Sequence, residues 1–481
     1  MVDIISNFLS TAVGFLWGTP LIVLVLGSGA LFTIGTGFFQ FRHFGYFCKE
    51  TFGALFDKSQ NEQGSGHVSA FQAAATAVGG AVGVGNIGGV ATAIAVGGPG
   101  ALFWLWIAAL LGMALKCAEV SLACYYRSYD ENGEPYGGPT YYISKGLGQL
   151  LPKGMKLPFI LAAIFGIGFS CNWLSGVQAY TITEGFCSAF NLPLIAFGVC
   201  YCLVVWVIVL GGGKRVVEFA GKVVPFMIVL FVLAALGIVL VNITQVPAAI
   251  ALIVKSAVGG FAGATASLAI QTGIARSVFS NEAGQGSSTM VHSQAHTNHP
   301  VRQGLWGMFE VFMDTMVVCS LMSLAIILSG VWDSGVQGAA LSVSAFGSVY
   351  GGLGAKLVAI AILLFGLTTQ AGWFCYYDVL LRYFLKDNIA LKNKILKVFR
   401  YLYPVPGLLT ILYTVSNGLP TGFVWQITDF FCAVPTMLNI ICVLSLSGVY
   451  FKLVKDYKAR YMGIGKIDPD FKPFFEDEVK K

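Results

Sequence analysis

The chain has 481 residues, of which 56% are hydrophobic and 11% charged, with a formal net charge of +6 and a mean hydropathy of +0.76. Soluble domains carry about 25% charged residues, so this composition excludes an ordinary water-soluble protein and leaves lipid as the solvent. The positive charge falls between apolar segments and near the C-terminus, which is a membrane-topology signal and excludes a nucleic-acid footprint.

The first residues carry no basic n-region and no small-residue cleavage site, so no removable signal peptide is predicted. Residues 1–17 read as a short amphipathic lead-in. The spans that follow are predicted at 20–40, 68–96, 100–126, 157–185, 192–211, 216–241, 249–280, 301–330, 354–385, 397–416 and 422–451. Each is long enough for a hydrocarbon core of about 30 Å. The fold class is therefore an all-α polytopic membrane protein with about 11 transmembrane helices. In or beside the odd-numbered gaps, and in the tail, lie Arg42, Lys49, Arg127, Lys153, Lys214, Arg215, Arg302, Lys392, Arg400 and Lys455. The even-numbered gaps (97–99, 186–191, 242–248, 331–353 and 417–421) hold no Lys or Arg. The bias places the N-terminus outside and the C-terminus in the cytoplasm of a cell (inner) membrane. The eleven cysteines lie mostly inside apolar segments with no C-x-x-C pair, and read as small buried apolar residues.

Two spans are unusual. Span two carries Gly79, Gly80, Gly83, Gly85, Gly88 and Gly89, and glycine costs about 1 kcal/mol in a helix interior. Span seven runs Gly259-Gly260-Phe-Ala-Gly263-Ala-Thr265 and on to Gln271-Thr272-Gly273. With span one set aside, spans two to six and seven to eleven form two sets of five, each opening on a glycine-interrupted helix. Five is odd, so the second set starts on the opposite side of the membrane. That is a five-plus-five inverted repeat with two broken helices and one extra N-terminal helix, and such breaks mark a transporter's central site. The division is 1–67 (lead-in, accessory helix and loop), 68–248 (first repeat), 249–451 (second repeat) and 452–481 (cytoplasmic tail). Close packing of small residues accounts for some of these glycines, such as Gly88 and Gly89, but not for their matching placement.

The run Gly97-Gly98-Pro99-Gly100-Ala-Leu-Phe-Trp104-Leu105-Trp106-Ile-Ala-Ala-Leu-Leu-Gly112 resembles the signature of the alanine or glycine:cation symporter family, with Leu105 where Met is usual. Gly263-Ala-Thr265, Gly273-Ile-Ala-Arg276-Ser-Val-Phe279-Ser-Asn281-Glu282-Ala-Gly284, and Thr368-Thr369 followed by Gly372-Trp373 resemble the same family. The likeness covers almost the whole chain. It implies a fold similar to the bacterial leucine transporter and sodium-driven uptake of alanine or glycine. Gln271-Thr272 stands where many members carry a basic or aromatic pair, and a related branch handles glutamine.

An unwound helix frees N–H groups at one half's start and C=O groups at the other's end, which suit a zwitterion without any charged side chain. The carboxylate is assigned to the backbone of Gly83, Val84 and Gly85, with Asn86 as stabiliser. Gln178 reads either as a polar pocket wall or as an interhelical hydrogen-bond partner. Ile270, Gln271 and Gly273 are assigned to the ammonium and side chain, and Trp373 either closes the pocket or packs as an anchor. The resemblance implies a Na⁺ site joining the carbonyls of Gly79 and Val82 to the hydroxyls of Thr368 and Thr369; one of the adjacent threonines is free to bond the preceding turn instead.

Intramembrane charges are functional by default. Lys116 and Glu119 are one turn apart and form a candidate pair; Glu119 braces the broken helices by resemblance; Glu310 and Asp314 form a candidate gate with Arg276. Gly83-Val-Gly85-Asn-Ile-Gly88 matches G-x-G-x-x-G, but inside an apolar span it is no dinucleotide fingerprint. His292, His296 and His299 lack a fourth metal ligand. With no catalytic group, cofactor or nucleotide motif, the expected function is secondary Na⁺-coupled symport of a small neutral amino acid, alanine or glycine first. Glutamine or serine, or coupling to H⁺ through Glu119, Glu184 or Asp314, is the alternative. The partners expected are the amino acid, Na⁺ and the bilayer, with no nucleic acid. A monomer suffices.

Overall fold

The computed structural model describes residues 2–55, 68–259, 266–418 and 421–475. It is almost entirely helical, with one two-stranded hairpin, Ser128–Tyr129 against Pro135–Tyr136. Eight helices among the described residues are long and apolar enough to cross a membrane, or nine when one bent pair is taken as a span. The 192–211 segment forms the shorter helix Leu194–Val209, and the 249–280 segment is divided into Val246–Gly259 and Ala266–Asn281. The glycine run between those two helices lies outside the described residues. The lead-in is a helix, Val2–Leu16, packed on Thr421–Ser445. The gap at 331–353 contains a further helix, Gly338–Tyr350, which packs against the first broken span.

The central strut is the helix Gly100–Tyr125, which contacts Pro300–Val311, Ala266–Asn281 and Thr19–Gly35. Close approach explains the first of these contacts. A methyl group at Gly304 would stand 2.4 Å from Ser121 Oγ, and one at Gly307 would stand 2.8 Å from Val120 Cγ2. Small residues let membrane helices gain dispersion contacts where no hydrophobic driving force separates helix from lipid. The outer faces carry exposed apolar side chains, among them Phe159, Ile167, Leu203, Phe226 and Leu233, which suit hydrocarbon.

The first broken span begins with a capping box. Ser69 Oγ accepts from Gln72 N, and Gln72 Oε1 accepts from Ser69 N, each at 3.1 Å, satisfying helix-start N–H groups. The helix Ala70–Ala81 stops at Val82, whose ψ of 99° is extended. A second half over 85–97 departs at 51°. Span four, predicted as continuous, is also interrupted. Leu157–Ser175 and Val177–Phe190 meet at Gly176 in the left-handed region (φ 60°). A side chain there would be strained, and its Cβ would stand 2.7 Å from the Pro406 carbonyl oxygen.

Candidate functional site

Three buried regions converge at the first break. Val82 faces the middle of Gly352–Phe384, where Thr369 Oγ1 donates toward the carbonyls of Gly79 and Val82 at 3.1 and 3.2 Å. Three oxygens thus cluster where the first half-helix ends and its last carbonyls lack intrahelical partners. Thr368 differs: its hydroxyl bonds back to the Phe365 carbonyl at 2.9 Å, within its own helix. Gly83 approaches Thr369 so closely that a methyl on it would stand 2.8 Å from Oγ1. Gly83 N donates to Asn86 Oδ1 at 2.8 Å, and Asn86 Nδ2 donates to Asp314 Oδ1 at 2.6 Å. The other Asp314 oxygen accepts from Ser280 Oγ and Thr315 Oγ1, both at 2.7 Å.

A second interruption follows Asn281. Glu282 is buried with φ 55°, in the left-handed region that a non-glycine residue adopts at a cost. Charged and polar side chains hold this turn. Lys116 Nζ donates to the Glu282 carbonyl at 3.1 Å and to Ser288 Oγ at 2.9 Å, and lies 3.3 Å from Glu310. Glu310 also contacts Ser288 Oγ and His292 Nε2, at 2.9 and 3.1 Å. Glu119 accepts from Gly284 N at 3.1 Å and from Asn439 Nδ2 at 2.5 Å. The Glu282 carboxylate accepts from Ser287 Oγ. Lys116 therefore pairs with Glu310 across helices, not with Glu119 one turn along its own.

Between the two interruptions lies a small cavity of about 30 Å³. Its walls include Gly83, Val84, Gly85, Gln178, Thr369 and Trp373, which the sequence singles out. They also include Phe279 and Glu282, which the sequence shows only as part of a motif, and Gln285, Thr428 and Cys432, to which it gives no role. Trp373 stacks on Phe169 with ring centroids 5.1 Å apart, and its Nε1 donates to the Gly80 carbonyl at 3.3 Å. Ile270, Gln271 and Gly273 do not line this cavity. They belong to the helix packed on Gly100–Tyr125, and a methyl at Gly273 would stand 2.3 Å from the Ala101 carbonyl. Glu282 and Gln285, which do line it, follow Asn281, about ten positions further along the chain. The Asn281-Glu282-Ala-Gly284 run was visible as a motif, but the left-handed turn at Glu282 has no local signal.

A vestibule of about 300 Å³ adjoins the cavity; Val84, Gly85 and Phe279 line both. Arg276 lines the vestibule with Glu184 and Asp429, and its guanidinium carbon is 5.8 Å from the Phe279 ring centre. Arg276 is thus apart from Glu310 and Asp314, whose oxygens are taken by the groups described above. At the opposite end the 128–136 hairpin reaches three other segments. Asp130 pairs with Arg382 at 3.2 Å, Glu131 with Lys392 at 2.6 Å and Glu134 with Lys214 at 2.5 Å. Two of the loop histidines are held by side chains: His292 contacts Glu310 and Gln303, and His299 contacts Asp456.

Residues 2–472 match the sodium:alanine symporter family. The chain is 36% identical to a sodium/alanine symporter of Methanococcus maripaludis, over 95% of this chain and 98% of the relative. It is 35% identical to a probable sodium/glutamine symporter of Bacillus subtilis, over 100% of this chain and 95% of the relative. In fold it is similar to the transporter MhsT in complex with L-phenylalanine, with a TM-score of 0.54 at 14% identity, over 81% of this chain and 95% of the other. The architecture is that of the leucine-transporter fold, and the chain belongs to the sodium:alanine symporter family.

Proposed function

We propose that this protein couples Na⁺ entry to uptake of a small neutral amino acid by alternating access. The observation that carries the reading is the convergence of Thr369 Oγ1 on the Gly79 and Val82 carbonyls, beside a cavity lined by unwound backbone. Hard neutral oxygens suit an alkali cation, and nothing in that cluster titrates. The three carboxylates that a proton-coupled scheme would use are hydrogen-bonded: Glu119 by Gly284 and Asn439, Asp314 by Asn86, Ser280 and Thr315, and Glu184 by Tyr180. Hydrogen-bonded carboxylates in such braces favour Na⁺ over H⁺ coupling.

In this reading Gly83, Val84 and Gly85 take the substrate carboxylate, while Glu282 and Gln285 face the ammonium side of the cavity. Trp373 limits side-chain size, so alanine and glycine are the first candidates. The Arg276 vestibule is the outer approach and the 128–136 hairpin lies at the cytoplasmic end. This follows from the Lys and Arg bias, with the N-terminus outside and the C-terminus inside a cell (inner) membrane. The test is purified protein in liposomes with labelled alanine, glycine, serine and glutamine, with and without a Na⁺ gradient, and with any pH gradient collapsed. Na⁺-stimulated uptake of at least one is expected; stimulation of none would reject the reading.

A further inference from the structure

Behind the hairpin rim lies a cavity of about 190 Å³ that shares no lining residue with the central cavity or the vestibule. Glu134 of the hairpin, Lys214 of the helix Gly212–Val241, Asp378 and Arg382 of Gly352–Phe384, and Arg400 of Ile389–Leu402 meet on its wall. Most of these charges are spent on one another. Lys214 pairs with Glu134 at 2.5 Å, and Arg382 holds Asp378 Oδ2 at 2.7 Å and Asp130 at 3.2 Å. Two groups keep unused capacity. Asp378 is 7% exposed, and its Oδ1 is buried with no hydrogen-bond partner among the described residues. Arg400 Nε is buried and has none either. Gly212 makes room for that guanidinium: its φ is 71°, and a methyl on it would stand 2.9 Å from Arg400 Cζ. The helix that starts there has no side-chain cap, so its first N–H groups add positive potential to the same wall. Buried polar atoms are nearly always hydrogen-bonded. A carboxylate oxygen and a guanidinium nitrogen that line one space, both without a partner, call for a ligand that carries both signs.

We propose that this cavity is a second binding site, entered from the cytoplasm, for a free α-amino acid in its zwitterionic form. Asp378 Oδ1 takes the ammonium. Arg400 Nε and the N–H groups that open Gly212–Val241 take the carboxylate, in hydrogen bonds strengthened by charge. A lone anion would face Asp378 and Glu134, and a lone cation would face Arg400, Arg382 and Lys214. The space holds about six waters, which matches the heavy-atom count of a small amino acid. Charged side chains supply both poles here, whereas the central cavity depends on unwound backbone beside a cation cluster. Binding at the rim therefore needs no Na⁺. Only the side of access rests on the transport reading above. The competing occupants are resident water and an inorganic anion.

The test is equilibrium dialysis of labelled alanine against the purified full chain. In choline chloride without Na⁺, saturable binding of one alanine per chain is expected. Glycine is expected to displace it, while propionate, ethylamine and phosphate at the same concentration are not. Arg400→Gln is expected to weaken this binding at least about tenfold, the loss of one hydrogen bond to a charged group, and to leave the further binding that NaCl adds. Asp378→Asn is expected to act in the same way, so misfolding of one variant leaves the other, and the Na⁺-free arm needs neither. No saturable binding without Na⁺ would make water the occupant and overturn the site. Displacement by phosphate or propionate would make it a plain anion site and overturn it too, as would Na⁺-free binding that both variants leave intact. Absence of any added binding in NaCl would instead count against the transport reading and leave the rim site standing.

Discussion

The two interruptions at the centre of this protein are built from different materials. At the first, glycine makes the turn and neutral groups hold it: Asn86 Oδ1 caps Gly83 N, and Thr369 reaches the Gly79 and Val82 carbonyls. At the second, a non-glycine residue, Glu282, takes the left-handed turn, and charged side chains hold it through Lys116, Glu119 and Glu310. Asp314 touches both, accepting from Asn86 on one side and Ser280 on the other. The difference separates two tasks. Carbonyls held only by a hydroxyl can trade it for a cation at small cost. A turn locked by a buried ion pair cannot relax without leaving a charge uncompensated.

The strongest way to break this contrast is Lys116→Met. It strands Glu310 in the interior, and removing one partner of a buried pair costs about 3–5 kcal/mol. Loss of the monodisperse folded protein, or a large fall in Tm, is expected, with partial recovery on adding Glu310→Gln. A wild-type melt would show that charge does not hold the second turn. Asn86→Ala is next: it uncaps Gly83 N and removes a donor from Asp314, worth about 1–2 kcal/mol in thermal stability. Third, Thr369→Ala is expected to raise the Na⁺ concentration for half-maximal uptake about tenfold, the equivalent of about 1.4 kcal/mol. Thr368→Ala, whose hydroxyl is spent on its own helix, is expected to change it less than about threefold. Equal effects from the two threonines would erase the distinction between them. The smallest effect belongs to Lys214→Ala at the hairpin rim, where exposed pairs contribute about 0–1 kcal/mol. A larger loss there would mean that the rim, and not only the centre, holds the bundle together.

The apolar, charge-poor composition dictates a helical membrane protein, because lipid offers no partner to an unpaired backbone group. The glycines of span two locate the first break, since the conformational cost of glycine in a helix is local and readable. Gly83, Val84 and Gly85 on the cavity wall follow from the same signal, and Trp373 from the motif resemblance. What lies across helices does not. A spacing of one turn suggests Lys116 with Glu119, yet packing of Pro300–Val311 on Gly100–Tyr125 delivers Glu310 instead. The left-handed turns at Glu282 and Gly176 are set by what surrounds them. They decide that Phe279, Glu282 and Gln285 line the cavity rather than Ile270, Gln271 and Gly273, and that a second space opens beside Asn172. Solvent preference and local backbone cost are written residue by residue, so the sequence alone determined the helical membrane class and the first break. Which charges pair, and which turn faces the pocket, depend on contacts between segments far apart in the chain, and only the tertiary structure decided them.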